Sequence, residues 1–193
     1  MGPTGPESRA ASAVAVVCHP HPLFGGTLQN KVVHTVARAM QEFGTATVRF
    51  NFRGVGGSAG IHDDGRGETD DACAVIAYAQ ARWPGRELWL GGFSFGAYVA
   101  LRTQGSTAPR CLITVAPPVG RWDFSGIQPP ECDWLVVQGD RDELVDLAAV
   151  QAWAATLARP PTLTVMAGAD HFFHGRLADL RDTIRGFLAN RIV

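Results

Sequence analysis

The chain carries almost no net charge: 17 Lys and Arg against 18 Asp and Glu leave −1 at neutral pH over 193 residues. Binding to nucleic acid or to an anionic membrane through bulk charge needs a basic excess, so neither partner is expected. Cys18, Cys73, Cys111 and Cys132 include no C-x-x-C pair, and buried free thiols in a reducing compartment are the expectation. The opening MGPTGPESRA lacks the apolar core of a signal segment, and the apolar run from Ala13 to Cys18 is far too short to cross a bilayer. A cytoplasmic location follows as an expectation. There is no internal repeat. What the chain does have is 46% hydrophobic and 18% charged residues, which excludes disorder and fits an ordinary globular protein.

The length suits one domain. Residues 1–12, rich in Gly, Pro and Ser, read as a mobile segment, and residues 13–193 as a single domain. Strand-like and helix-like stretches alternate along it. AVAVVC (13–18), TATVRF (45–50), ELWLGG (87–92), CLITVA (111–116), DWLVVQ (133–138) and TLTVMA (162–167) read as strands. Helical periodicity runs from Gln29 to Phe43, from Thr69 to Arg82, after Ser94, around Leu147 to Leu157, and through Leu177, Leu180, Ile184 and Leu188. Strands that are apolar throughout, rather than alternating, are the mark of a parallel sheet covered on both faces. A three-layer α/β sandwich with a mostly parallel six-stranded sheet is therefore expected.

The strongest chemical signal is Gly92-Phe93-Ser94-Phe95-Gly96, set between the apolar strand ELWLG and the helical AYVALRT. G-x-S-x-G in that context is a tight strand-to-helix turn that projects the serine hydroxyl. A serine hydroxyl is a weak nucleophile alone, so an acid and a histidine base must follow it in that order. The loop GDRDELV (139–145) offers Asp140 and Asp142, and GADHFFH (168–174) offers His171 and His174. Both loops follow strands, and catalytic groups of open α/β sheets gather at the carboxyl ends of strands. His171 would take the Ser94 proton, with Asp142 holding the imidazole tautomer; Asp140 and His174 are the alternatives. His19 and His21 form an H-x-H pair that could ligate a metal, but no third ligand is evident nearby, and a proline-stiffened loop is the better reading. No cofactor or metal is expected. Asn51 and Arg53 read as residues that knit the loop after the second strand, by an ion pair with an acidic residue such as Asp63 or Asp64. Phe24, Phe93, Phe95, Trp122, Phe124, Phe172 and Phe173 are candidates for an apolar acyl pocket.

HPHPLFGGT (19–27), RFNFRGVGGSAG (49–60), GFSFGAYVAL (92–101), GDRDELVD (139–146) and GADHFFHGRL (168–177) together resemble the α/β-hydrolase superfamily, most closely its small lidless bacterial members related to dienelactone hydrolases and carboxylesterases. The resemblance implies that the acid is the aspartate of G-x-x-D-x-x-V, here Asp142. It also implies that one oxyanion amide comes from Phe95 and the other from the first loop. Pro20 and Pro22 have no N–H, which leaves His21 or Leu23; the LFG sequence resembles the dienelactone-hydrolase loop and favours Leu23. The family's first two antiparallel strands are missing here, and the stretch from Ala116 to Asp133 is too short for a cap domain. The implied activity is hydrolysis of a small ester, with lactone, thioester or small acyl-amide substrates as variants on the same residues. A non-catalytic binding protein that keeps the fold is the reading from a different class.

Overall fold

The computed structural model describes residues 12–191. Among them six strands form one sheet: β1 (Ala13–Cys18), β2 (Ala46–Arg49), β3 (Glu87–Phe93), β4 (Cys111–Val115), β5 (Asp133–Gly139) and β6 (Thr162–Met166). Every neighbouring pair is parallel, in the spatial order β2-β1-β3-β4-β5-β6. The helices are α1 (Lys31–Gln41), α2 (Arg66–Arg82), α3 (Phe95–Thr107), α4 (Leu147–Thr156) and α5 (Leu177–Arg191).

The uniformly apolar strands are explained by two cores. In β1, Ala13, Ala15 and Val17 face a layer containing Val36 and Met40 of α1 and Ile184 and Leu188 of α5. Val14, Val16 and Cys18 face the opposite layer, with Ile76 of α2, Val99 of α3 and Val150 of α4. Successive side chains point to opposite faces of a strand, so a sheet covered on both sides needs an apolar residue at every position.

Local chemistry sets the helix starts. Asn30 Oδ1 accepts the N–H groups of Val32 (2.9 Å) and Val33 (3.3 Å), which starts α1 two residues later than the periodicity predicts. The start of α2 is earlier than predicted, at Arg66. The buried Glu68 carboxylate accepts the N–H groups of Gly65 (2.8 Å) and Asp63 (3.0 Å), completing the turn from which the helix departs. The segment 1–12, expected to be mobile, lies outside the described residues except for Ser12, whose N–H donates to Gly44 O at 3.2 Å.

Two features position the site. The chain leaves β1 for β2 on one side, while β3 lies against the other side of β1, with Cys18 level with Gly92. The loops after β1 and β3 therefore diverge and open a crevice at the carboxyl ends of the strands. Between β4 and β5, residues 116–132 carry no helix or strand, only an isolated bridge between Val119 and Trp122. No cap covers the crevice from this segment.

Candidate active site

Ser94 forms the turn from β3 into α3 with φ 53° and ψ −122°. This region is sparsely populated, and holding a serine there costs about 1–3 kcal/mol. The turn depends on two glycines. A Cβ on Gly92 would stand 2.2 Å from Gly96 O, and one on Gly96 would stand 2.3 Å from Cys18 O. The amino end of α3 is thus packed on the end of β1, next to the loop that begins at His19. Burial of neighbouring strands and the Ser94 N–H bond to Val115 O (2.8 Å) hold the strained turn in place.

His171, on the loop after β6, brings its Nε2 to 3.1 Å from Ser94 Oγ. Its Nδ1 lies 2.8 Å from Oδ2 of Asp142, on the loop after β5. The two side chains of this pair are only 3% and 1% exposed. The Asp142 Oδ1 accepts the N–H groups of Leu144 (2.9 Å) and Val145 (2.7 Å). Burial alone raises the Asp142 pKa, but the hydrogen bonds from His171, Val145 and Leu144 outweigh it and hold the carboxyl below its ordinary value. An ionised carboxylate only accepts, so Nδ1 carries the proton and Nε2 presents a lone pair to the Ser94 hydroxyl. Such a chain can move a proton from Oγ to Nε2.

Ser94 and His171 open into a cavity of about 500 Å³. Phe24, Trp122, Leu144 and Phe172 contribute apolar wall, and Arg121 is the one arginine or lysine among the described lining residues. Of the seven aromatics expected at an acyl pocket, Phe24, Trp122 and Phe172 line it, while Phe93, Phe95, Phe124 and Phe173 are buried in the core. Phe93 nevertheless serves the site, since its ring packs 5.1 Å from that of His171.

The first loop is organised around His21. The Leu23 side chain is 70% exposed and is not part of the cavity wall. Its N–H donates to His21 Nδ1 at 3.2 Å, because the His21 ring caps the short 3-10 turn Pro22–Phe24. The Leu23 amide is thus engaged by the His21 ring in this structure. The N–H of His21, a cavity residue, has no acceptor among the described residues, and the same holds for the N–H of Phe95. The His21 ring packs at a tilt against those of His62 and Phe95, with centroids 4.6 and 5.0 Å away. Burial, and then the neighbouring His62, keep His21 below its ordinary pKa.

The remaining candidates lie apart from the cavity chemistry. Asp140 is exposed and accepts the Gly168 N–H, and His174 pairs with Asp170 at the surface. His19 uses both ring nitrogens: Nδ1 donates to Pro20 O (2.6 Å), and Nε2 accepts the Phe52 N–H (3.0 Å). Burial holds it neutral, its pKa lowered to about 4. The ring pins the loop after β1 to the loop after β2 and has no lone pair left for a metal. Arg53 pairs with Asp71 rather than Asp63 or Asp64, at 2.8 Å; Asp63 binds Arg66 instead. Two residues not singled out in the sequence touch the central pair. Glu143 Oε2 accepts the His171 N–H at 3.2 Å, and the buried Gln138 donates to Asp142 Oδ2 at 2.9 Å. A polar residue closing the apolar run WLVV is the available signal for Gln138.

Residues 11–132 match the hydrolase family described as serine aminopeptidase, S33. An α/β serine hydrolase without lid from Xanthomonas campestris superposes with a TM-score of 0.91 at 50% identity, over 96% of this chain and 85% of that one. The chain belongs to the α/β serine hydrolases. An α/β serine hydrolase homologue from Coxiella burnetii gives a TM-score of 0.89 at 46% identity, over 92% and 85% of the two chains. An uncharacterized protein of Rickettsia prowazekii is 34% identical over 97% of this hydrolase and 86% of its own length. The family match contains Ser94 but ends before Asp142 and His171. In this hydrolase no helix among the described residues is long and apolar enough to cross a membrane.

Proposed function

We propose that this hydrolase cleaves small carboxylic esters through an acyl-enzyme on Ser94, with His171 as general base and acid and Asp142 as the third member of the triad. The observation that carries the reading is the hydrogen-bonded line Ser94 Oγ–His171 Nε2–His171 Nδ1–Asp142 Oδ2 at an uncapped, largely apolar cavity. As Oγ attacks the ester carbonyl, its proton passes to Nε2 and the imidazolium is stabilised by Asp142. The carbonyl oxygen becomes an oxyanion between the Phe95 and His21 N–H groups. One such donor contributes about 10²–10³ in rate. The intermediate collapses, Nε2 returns the proton to the departing alkoxide, and water repeats the sequence on the acyl-enzyme. No metal or cofactor enters this chemistry.

The uncapped cavity favours a short acyl group. Each buried CH₂ contributes about 0.8 kcal/mol, so kcat/KM should climb over the first few carbons and fall once further carbons remain in water. Lactones and thioesters fit the same chemistry. The reading includes a small-molecule substrate and, because the four cysteines are free and two are buried, a reducing, cytoplasmic setting. The test is a series of p-nitrophenyl esters of graded acyl length, alongside an amino-acid p-nitroanilide and labelling with a fluorophosphonate. The expected result is a short-chain ester maximum, labelling at Ser94, and loss of both in Ser94→Ala. A maximum at palmitate, a jump in rate at the micellar threshold, or faster cleavage of the anilide would overturn the substrate reading. An unlabelled wild-type protein would point to a binding function instead.

A further inference from the structure

Gln138 is the penultimate residue of β5 and is fully buried. Its Nε2 stands 2.9 Å from Asp142 Oδ2 and 3.4 Å from each of the carbonyl oxygens of Gly139 and Val145. Three acceptors around one atom require a donor there, which fixes the orientation of the amide. Its other end has no such company: Oε1 is buried without a hydrogen-bond partner among the described residues. A polar atom left unpaired in a core is costly, so a leucine or methionine would suit the strand better if packing were the only requirement.

We propose that Gln138 is a positioning residue for the triad, an inference that rests on the reading of Asp142 as its acid. Asp142 Oδ2 receives both the His171 Nδ1–H and the Gln138 Nε2–H, while Oδ1 is occupied by the Leu144 and Val145 amides. Four donors leave the carboxylate one orientation, with Oδ2 toward the imidazole. The amide also draws off part of the Oδ2 charge, which weakens the hold of Asp142 on a proton at His171 and lets Nε2 become free at lower pH. Other charged groups beside the pair are Glu143, whose Oε2 accepts the His171 N–H, Arg121, whose Nε donates to Leu144 O, and the chain neighbours Arg141 and Asp170, the latter paired with His174. Substitution at 138 leaves all of them in place. Gln138 is not part of the cavity wall, so substrate binding should be indifferent to it.

Gln138→Met and Gln138→Leu remove the donor at similar volume. In each, kcat should fall about tenfold, corresponding to roughly 1.4 kcal/mol. KM should stay within about twofold, and the acid-side midpoint of the rate profile should move up by roughly half to one pH unit. A purely structural role would lower the amount of folded enzyme and leave the midpoint where it is. A second measurement needs no variant and no substrate. In the wild-type NMR spectrum the Gln138 side-chain amide protons should exchange slowly, and they should shift with pH in step with the His171 ring. An unmoved midpoint in a folded variant, or an amide that ignores the imidazole titration, overturns the proposal. Failure of the ester reading shows separately, as activity surviving in Ser94→Ala, and leaves the amide titration intact.

Discussion

Two histidines three residues apart on the loop after β6 each pair with an aspartate, His171 with Asp142 from the loop after β5 and His174 with Asp170 on its own loop, at the same 2.8 Å separation between ring nitrogen and carboxylate oxygen. His171–Asp142 sits under the cavity with side chains 3% and 1% exposed; His174–Asp170 lies on the surface at 76% and 36%. Both carboxyls are held below their ordinary pKa. Asp170 is held by the His174 N–H and then its ring, and Asp142 by His171 and two backbone amides against the opposing effect of burial. The difference lies in the surroundings. Water and salt screen the outer pair, whose contribution is about 0–1 kcal/mol. The inner pair has lost its water, so every unmet donor or acceptor there is expensive, and its imidazole has Ser94 on the far side. Equal distances therefore carry unequal chemistry.

The largest way to break the comparison is to remove the rings. His171→Ala should lower ester turnover by about 10⁶-fold, as loss of a triad member does in comparable hydrolases. The same change at His174 should leave turnover within about twofold. Steady-state rates on a short p-nitrophenyl ester decide this, and equal effects would erase the distinction. The carboxylates come next. Asp142→Asn should lower kcat by about 10⁴-fold by turning the imidazole to the wrong tautomer, whereas Asp140→Asn and Asp170→Asn should do far less. If Asp140→Asn were the more damaging change, the acid would be misassigned.

A third buried imidazole sharpens the comparison through stability. His19 is neutral in the fold, with its pKa near 4, whereas an unfolded histidine titrates near about 6.5. Between those values the unfolded chain binds a proton that the folded chain does not, so stability falls as pH drops from about 6.5 to 4 and levels off below. The full loss should be on the order of 3 kcal/mol. Urea midpoints across that window should slope less in His19→Gln, and parallel slopes would show that His19 is not the group responsible. The smallest effect belongs to the outer pair: His174→Gln should change stability by less than about 1 kcal/mol, and less again in high salt. A change several times larger would mean that the pair is not screened as its exposure implies.

Much of the fold was legible because its signals are local. Apolar runs of five or six residues, helical periodicity between them and a five-residue elbow require no knowledge of distant neighbours. The order acid-then-histidine after Ser94, and their position on loops that follow strands, could likewise be read along the chain. Helix ends were read less well, since α2 begins where the Glu68 carboxylate turns back onto Gly65. Other choices of partner were beyond the sequence. Arg53 prefers Asp71 on α2 to two nearer aspartates, because the loop after β2 packs beside that helix. The same holds for the seven candidate aromatics, divided between wall and core only by where each one packs.

The sequence by itself determined the sheet, the elbow and the small set of groups able to do chemistry, because residue type and spacing dictate backbone conformation over a few residues. The tertiary structure decided three further matters: that Asp142 rather than Asp140 faces the imidazole, that the His21 ring takes up the Leu23 amide, and that Gln138 turns its donor end to the acid. Each is a competition for one hydrogen-bonding atom, whether the groups lie 29 positions apart, as His171 and Asp142 do, or only two, as His21 and Leu23 do, and the winner is whichever group the packed structure brings within about 3 Å.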